Sequence, residues 1–223
     1  MNFYDQIKQK TTGNKATFYS LAILQDALKG DISVGLYIDF LTQAYHHVKH
    51  TVPLLMACGA RLSQQQEWLR EAMAEYIEEE LGHQEWILND IDAAGGDASK
   101  VRAGKPGLHT DLMVAYAYDT IVRKNPVGFL GMVYVLEHTS TELATGAANT
   151  LKTKLGLPNN AFSYLYSHGS LDLEHIAFYE KLVNRLDQEQ DQIAIIESAQ
   201  AFYTLYGNIF ASLDPRNPLS LAS

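Results

Sequence analysis

Residues 168 to 175 read His168-Gly169-Ser170-Leu171-Asp172-Leu173-Glu174-His175. On a helix, positions i, i+4 and i+7 share a face, so His168, Asp172 and His175 line up while Leu171 and Leu173 point elsewhere. Two imidazoles and one carboxylate together suit a divalent transition metal of borderline hardness. A polar, solvated face that gathers three ligand-type residues by chance is the plain alternative, and on the motif alone the two readings stand level.

The segment around this motif, Ala161 to Leu186, has the pattern of a long helix, with Gly169 and Ser170 expected to kink it. The rest of the chain reads the same way. A helix is expected over Phe3 to Lys10, a turn at Thr11-Thr12-Gly13-Asn14, and a helix from Lys15 to Lys29 stopped by Gly30. Asp31 is a candidate N-cap for a helix reaching Leu62, kinked or broken by Pro53 and Gly59. Ser63 with Gln66 forms a capping box for a helix that ends near Ala94, at Gly95-Gly96. Asp97 to Gly107 is the longest expected loop. Helices then cover Leu108 to Lys124, Pro126 to Leu155 and Asp187 to Leu213. No segment alternates with period two. The pattern therefore predicts an all-α chain, residues 1–223 forming one domain of about seven or eight helices packed as a bundle.

Composition narrows the function. The 223 residues include 17 Lys and Arg against 26 Asp and Glu, a net charge of -9. Nucleic acid and anionic membrane surfaces need clustered positive charge, so neither is an expected partner. No apolar run approaches the ~18 residues of a membrane span. The start, Met1-Asn2-Phe3-Tyr4-Asp5, lacks the basic head and apolar run of a signal peptide. A lone cysteine, Cys58, suits a reducing compartment, and a cytoplasmic location is expected.

Three more elements carry ligand-type residues. In Glu75-Tyr76-Ile77-Glu78-Glu79-Glu80-Leu81-Gly82-His83, Glu79 lies at i+4 and Glu80 at i+3 from His83. Either could share a metal with it, while a solvated acidic face accounts for the other glutamates. Gly82 inside a helix costs about 1 kcal/mol relative to Ala, so a local need for it is expected. Glu137 is the one carboxylate at the end of the apolar run from Gly128 to Leu136, and a buried carboxylate is expensive unless paired or metal-bound; simple exposure is the alternative. In Tyr45-His46-His47-Val48-Lys49-His50, His47 and His50 face together at i, i+3, as further ligands, pocket residues or core histidines.

Glu79, His83, Glu137, His168, Asp172 and His175, with His47, His50 and Glu80 in a second tier, can hold two metal ions with open positions, as carboxylate-bridged sites in helix bundles do. Zinc is less favoured, because there is no thiolate cluster to close a structural site.

At these residues the chain resembles the heme-oxygenase-like superfamily, which includes the TenA thiaminases, the PqqC-type oxidases and the di-iron oxidases and oxygenases. It is most similar to the last group, which carries a Glu and a His on one core helix, a lone Glu later, and then His-x3-Asp-x2-His. The resemblance implies two iron ions, O2 as co-substrate, and oxidation of a small molecule such as a fatty acid, amino acid or amine. Some members take a carboxylate from the preceding long helix, where this chain has His46, His47 and His50. A TenA-type cysteine nucleophile would sit on a middle helix, whereas Cys58 comes early and reads as a small buried thiol. A homodimer stays open. Two other functions compete: a non-catalytic ligand- or partner-binding domain of the same fold, and a metal-independent hydrolase with Glu137 as acid/base.

Overall fold

The computed structural model describes residues 1–222, and the side chains of all of them except 169–174 and 221–222. Eleven α-helices follow one another: α1 Phe3–Tyr19, α2 Ala22–Lys29, α3 Val34–Val48, α4 Thr51–Arg61, α5 Glu67–Glu80, α6 His83–Ala93, α7 Ala98–Ala103, α8 Leu108–Arg123, α9 Leu130–Leu155, α10 Ser163–Val183 and α11 Glu189–Leu213. Short 3-10 turns precede α5, α9 and α10, and no strand occurs among the described residues. None of the helices described is long and apolar enough to cross a membrane.

The ends of the helices follow from side chains that satisfy otherwise unpaired backbone groups. Asn2 accepts the Asp5 N–H at 2.8 Å, Ser33 the Leu36 N–H at 3.1 Å, and Asp97 the Lys100 N–H at 2.9 Å. The Ser63/Gln66 capping box is present. Gly30 closes α2 in the left-handed conformation, φ 78°.

Six boundaries differ from the sequence reading. The helix expected from Lys15 to Lys29 is interrupted at Ser20-Leu21, between α1 and α2. Thr11 to Asn14 form no turn; α1 runs through them, with Thr11 and Thr12 hydroxyls donating to the carbonyls of Ile7 and Lys8. The N-cap of α3 is Ser33 rather than Asp31. The long helix expected to Leu62 is broken at Lys49-His50, not at Pro53, which sits in the first turn of α4; there its missing N–H has no intrahelical acceptor to leave empty. The helix expected from Ser63 to Ala94 is broken at Gly82, whose φ of 89° only glycine adopts readily. The expected loop Asp97 to Gly107 contains α7. The kink expected at Gly169-Ser170 falls among the residues whose side chains lie outside the description.

The long helix α9 forms the spine, with α10, α11 and α2 packed against it; α3 packs on α6, and α4 on α5 and α8. Gly131 lets α9 approach α11: a Cβ there would stand 2.6 Å from the Ala199 nitrogen and 2.7 Å from the Ile195 carbonyl oxygen. Asp90, fully buried on α6, accepts the N–H groups of Ser163 at 3.0 Å and Tyr164 at 2.9 Å, and also the Ser163 hydroxyl. It thus caps α10 and fixes the relation between the helices that carry His83 and His168.

Candidate metal centre

Gly82 is what turns His83 inward. Its left-handed backbone ends α5 and starts α6 with His83, which is 3% exposed, in the interior. The Nδ1 of His83 stands 3.0 Å from Glu80 Oε2. His168, from α10, comes edge-on to the His83 ring at 5.1 Å between centroids. Ligand atoms of Glu80, His83 and His168 all lie within 4.8 Å of one another. Two imidazoles and a carboxylate are donor types that suit one divalent ion. His168 Nδ1 lies 3.0 Å from the Tyr164 carbonyl oxygen. An N–H donated there makes Nε2 the lone-pair nitrogen, the arrangement that orients metal-binding histidines.

A second group lies beside the first. His175 Nε2 is 2.8 Å from Glu79 Oε2, and its Nδ1 is 3.8 Å from Glu137 Oε1. Glu137 is buried at 8% exposure, so the apolar run has not simply ended in solvent. Tyr76, from α5, packs edge-on to His175 at 6.0 Å. Burial, and then the charge on Glu137, push the Tyr76 hydroxyl far above its ordinary range, so it stays a protonated phenol.

The sequence leaves both glutamates open as partners of His83, and the structure separates them. Glu80, not Glu79, adjoins His83; the largely exposed Glu79 reaches His175 instead. The i+4 argument assumed an unbroken helix, and Gly82 breaks it. Burial works against ionisation of Glu80, but the adjoining His83, then His168 and His175, outweigh it and hold its carboxyl below the usual range. Asp172 lies outside the described side chains.

His47 and His50 part company because α3 ends between them. His47 lines the cavity that Glu80, Glu137 and His168 also line. It is 3% exposed, its buried Nδ1 has no hydrogen-bond partner among the described residues, and burial holds its pKa down to about 3. His50 instead meets Tyr118 on α8, Nδ1 to hydroxyl 3.3 Å. His46 accepts from Lys49 Nζ at 3.1 Å. Cys58 is buried against the Pro126 carbonyl, and burial pushes its thiol up to about 12, a packing role. Tyr164 lines the cavity, Tyr134 packs with Tyr4, His138 and Tyr179, and Tyr166 donates to Asn149. Sequence reasoning missed Tyr76 and Trp86, which stacks on His83 at 4.0 Å; their helical spacing to Glu80 and His83 was the available signal.

Residues 38–207 match the model of a family described as iron-containing redox enzymes. The chain belongs to that family. Its fold is heme-oxygenase-like. A heme-oxygenase-like domain of unknown function from Shewanella denitrificans superposes with a TM-score of 0.85 at 20% identity, over 96% of this chain and 92% of that one. Heme oxygenase-1 from Synechocystis, solved with heme, gives 0.74 at 14% over 100% and 96%. A TenA homologue from Pyrococcus horikoshii gives 0.78 at 8% over 96% and 98%. At these identities the likeness speaks for the fold. No protein of curated function matches the sequence. For this iron-containing redox enzyme, the carboxylate-and-histidine cluster described above is the candidate iron centre.

Proposed function

We propose that this chain is an oxidase or oxygenase that activates O2 at a non-heme di-iron centre to oxidise a small organic substrate. The observation that carries the reading is the convergence of Glu80, His83 and His168 in the interior of a chain from an iron-containing redox family. Glu80, His83 and His168 would hold one ion. Glu137 and His175 would hold the other, with Asp172 added on its i, i+4, i+7 spacing. When bound, the iron pair supplies redox equivalents and Lewis acidity toward O2.

The chain's own residues do the rest. Glu79 accepts from His175 Nε2 and so leaves Nδ1, on the Glu137 side, as the donor to metal. The Tyr164 carbonyl does the same service for His168. The Tyr76 phenol keeps its proton next to Glu137. Neutral His47 offers a hydrogen-bonding nitrogen to whatever enters the cavity. Leu54, Phe129 and Met132 wall that cavity and keep water out.

Buried Glu137 and partly buried Glu80 need positive charge close by. A heme iron would not place charge between two carboxylates, and a metal-free binding domain or hydrolase would leave the task to protonated histidines. O2 uptake by Fe(II)-loaded protein, against chelated protein and Fe(II) buffer, tests the reading. Uptake above both supports it; activity retained in full after chelation overturns it.

A further inference from the structure

A second cavity lies between α2, α3, α9 and α11, occupying about 840 Å3 with its open mouth included. Its walls come from Leu24 and Ala27 on α2, Phe40 on α3, Leu143 and Ala147 on α9, and Phe210 on α11. Alanines at 27 and 147 leave space between helices that larger side chains would fill. Among the described residues, no Lys, Arg, Asp or Glu lines it. The hydroxyl of Tyr37 is already donated to the Ala161 carbonyl at 2.7 Å. Ser140, Tyr164, His168 and Tyr206 line both this cavity and the one beside Glu80 and Glu137. An apolar arm thus ends at the candidate iron centre, with its polar atoms gathered near that end.

We propose that this arm holds the tail of the substrate, an uncharged aliphatic chain whose single polar end, a carboxylate or an amine, lies beside His168 and Ser140. The proposal rests on the iron-centre reading for where the polar end reacts. A molecule charged at both ends would strand one charge against leucine and phenylalanine, which is costly without a partner. That sets aside molecules charged at both ends, lysine among them, as substrates.

The test is binding, not turnover. Hexanoate, octanoate, decanoate and dodecanoate, and the matching n-alkylamines, are titrated by calorimetry into anaerobic Fe(II)-loaded protein and into chelated protein. Affinity should rise about three- to fourfold for each added methylene until the arm is full, and lysine should bind no better than hexanoate. Whichever series binds more tightly names the polar end. Ala147→Phe should erase most of the gain from hexanoate to dodecanoate while leaving hexanoate itself within about twofold, and Ala27→Phe should do the same from the opposite wall. Affinity that does not change with chain length, or a dodecanoate-to-hexanoate ratio unmoved in both folded variants, overturns the proposal. Length dependence in a protein that takes up no iron upholds the arm and sinks the metal reading; iron uptake without length dependence does the reverse.

Discussion

Glu79 Oε2 stands 2.8 Å from His175 Nε2, joining α5 to α10, and the far nitrogen of the same ring faces Glu137. On the proposed di-iron reading, Glu79 orients a ligand, whereas its neighbour Glu80 is one. Glu79→Ala should weaken binding of one iron by about 10–100-fold, the usual cost of losing the partner behind a ligand. Glu80→Ala should abolish the other at working concentrations. Iron titrations of the two variants at equal helical content check this; identical curves would remove the distinction.

His47 and His50 are three residues apart in the chain, but His47 lines the cavity and His50 meets Tyr118. His47→Ala should lower O2 uptake with substrate by tenfold or more, on the scale of one lost polar contact at a reacting centre. His46→Ala and His50→Ala should alter it about twofold or less. Steady-state uptake by the three variants decides, and equal effects would return His47 to a packing role.

Asp90 joins the two helices that bear His83 and His168. Asp90→Ala leaves the Ser163 and Tyr164 N–H groups without their acceptor. It should cost about 2 kcal/mol, or roughly 4–8 °C in Tm for a chain of this size, and weaken iron binding with it. A thermal melt of the metal-free protein reads the first effect and an iron titration the second.

His138 provides a pH dependence separate from iron. Buried, its Nδ1 donates to the Tyr134 carbonyl and its Nε2 accepts from the Tyr4 hydroxyl at 2.7 Å. Burial above all lowers its pKa from 6.5 to about 4. Between those values the unfolded chain binds more protons than the folded one. Stability is therefore complete above pH 6.5 and falls as the pH drops toward 4, by about 3 kcal/mol from this residue. Urea titrations of metal-free protein at pH 7 and pH 4.5 should show the loss, and His138→Asn should reduce it.

The helical class and the ligand-bearing stretches were legible because both rest on local spacing: His168 to His175 on one turn pattern, Glu137 on a run of apolar neighbours. What was not legible depended on single backbone states. Gly82 in a left-handed conformation exchanges the partners of Glu79 and Glu80, and a break at Lys49-His50 separates His47 from His50. Thr11 to Asn14 read as a turn by composition, yet hydroxyls bonded back to the preceding turn let α1 pass through. Tyr76 and Trp86 share helix faces with Glu80 and His83 by spacing, but that those faces meet His175 and His168 comes from the packing of α5, α6 and α10.

The central claim is that these helices hold two iron ions. Anaerobic titration of metal-free protein with Fe(II), followed by removal of free metal and elemental analysis, measures it directly. The account predicts a plateau at two ions per chain, and weaker binding of one of them in Asp172→Ala. A wild-type protein that retains no iron while its helical circular dichroism is intact would contradict it.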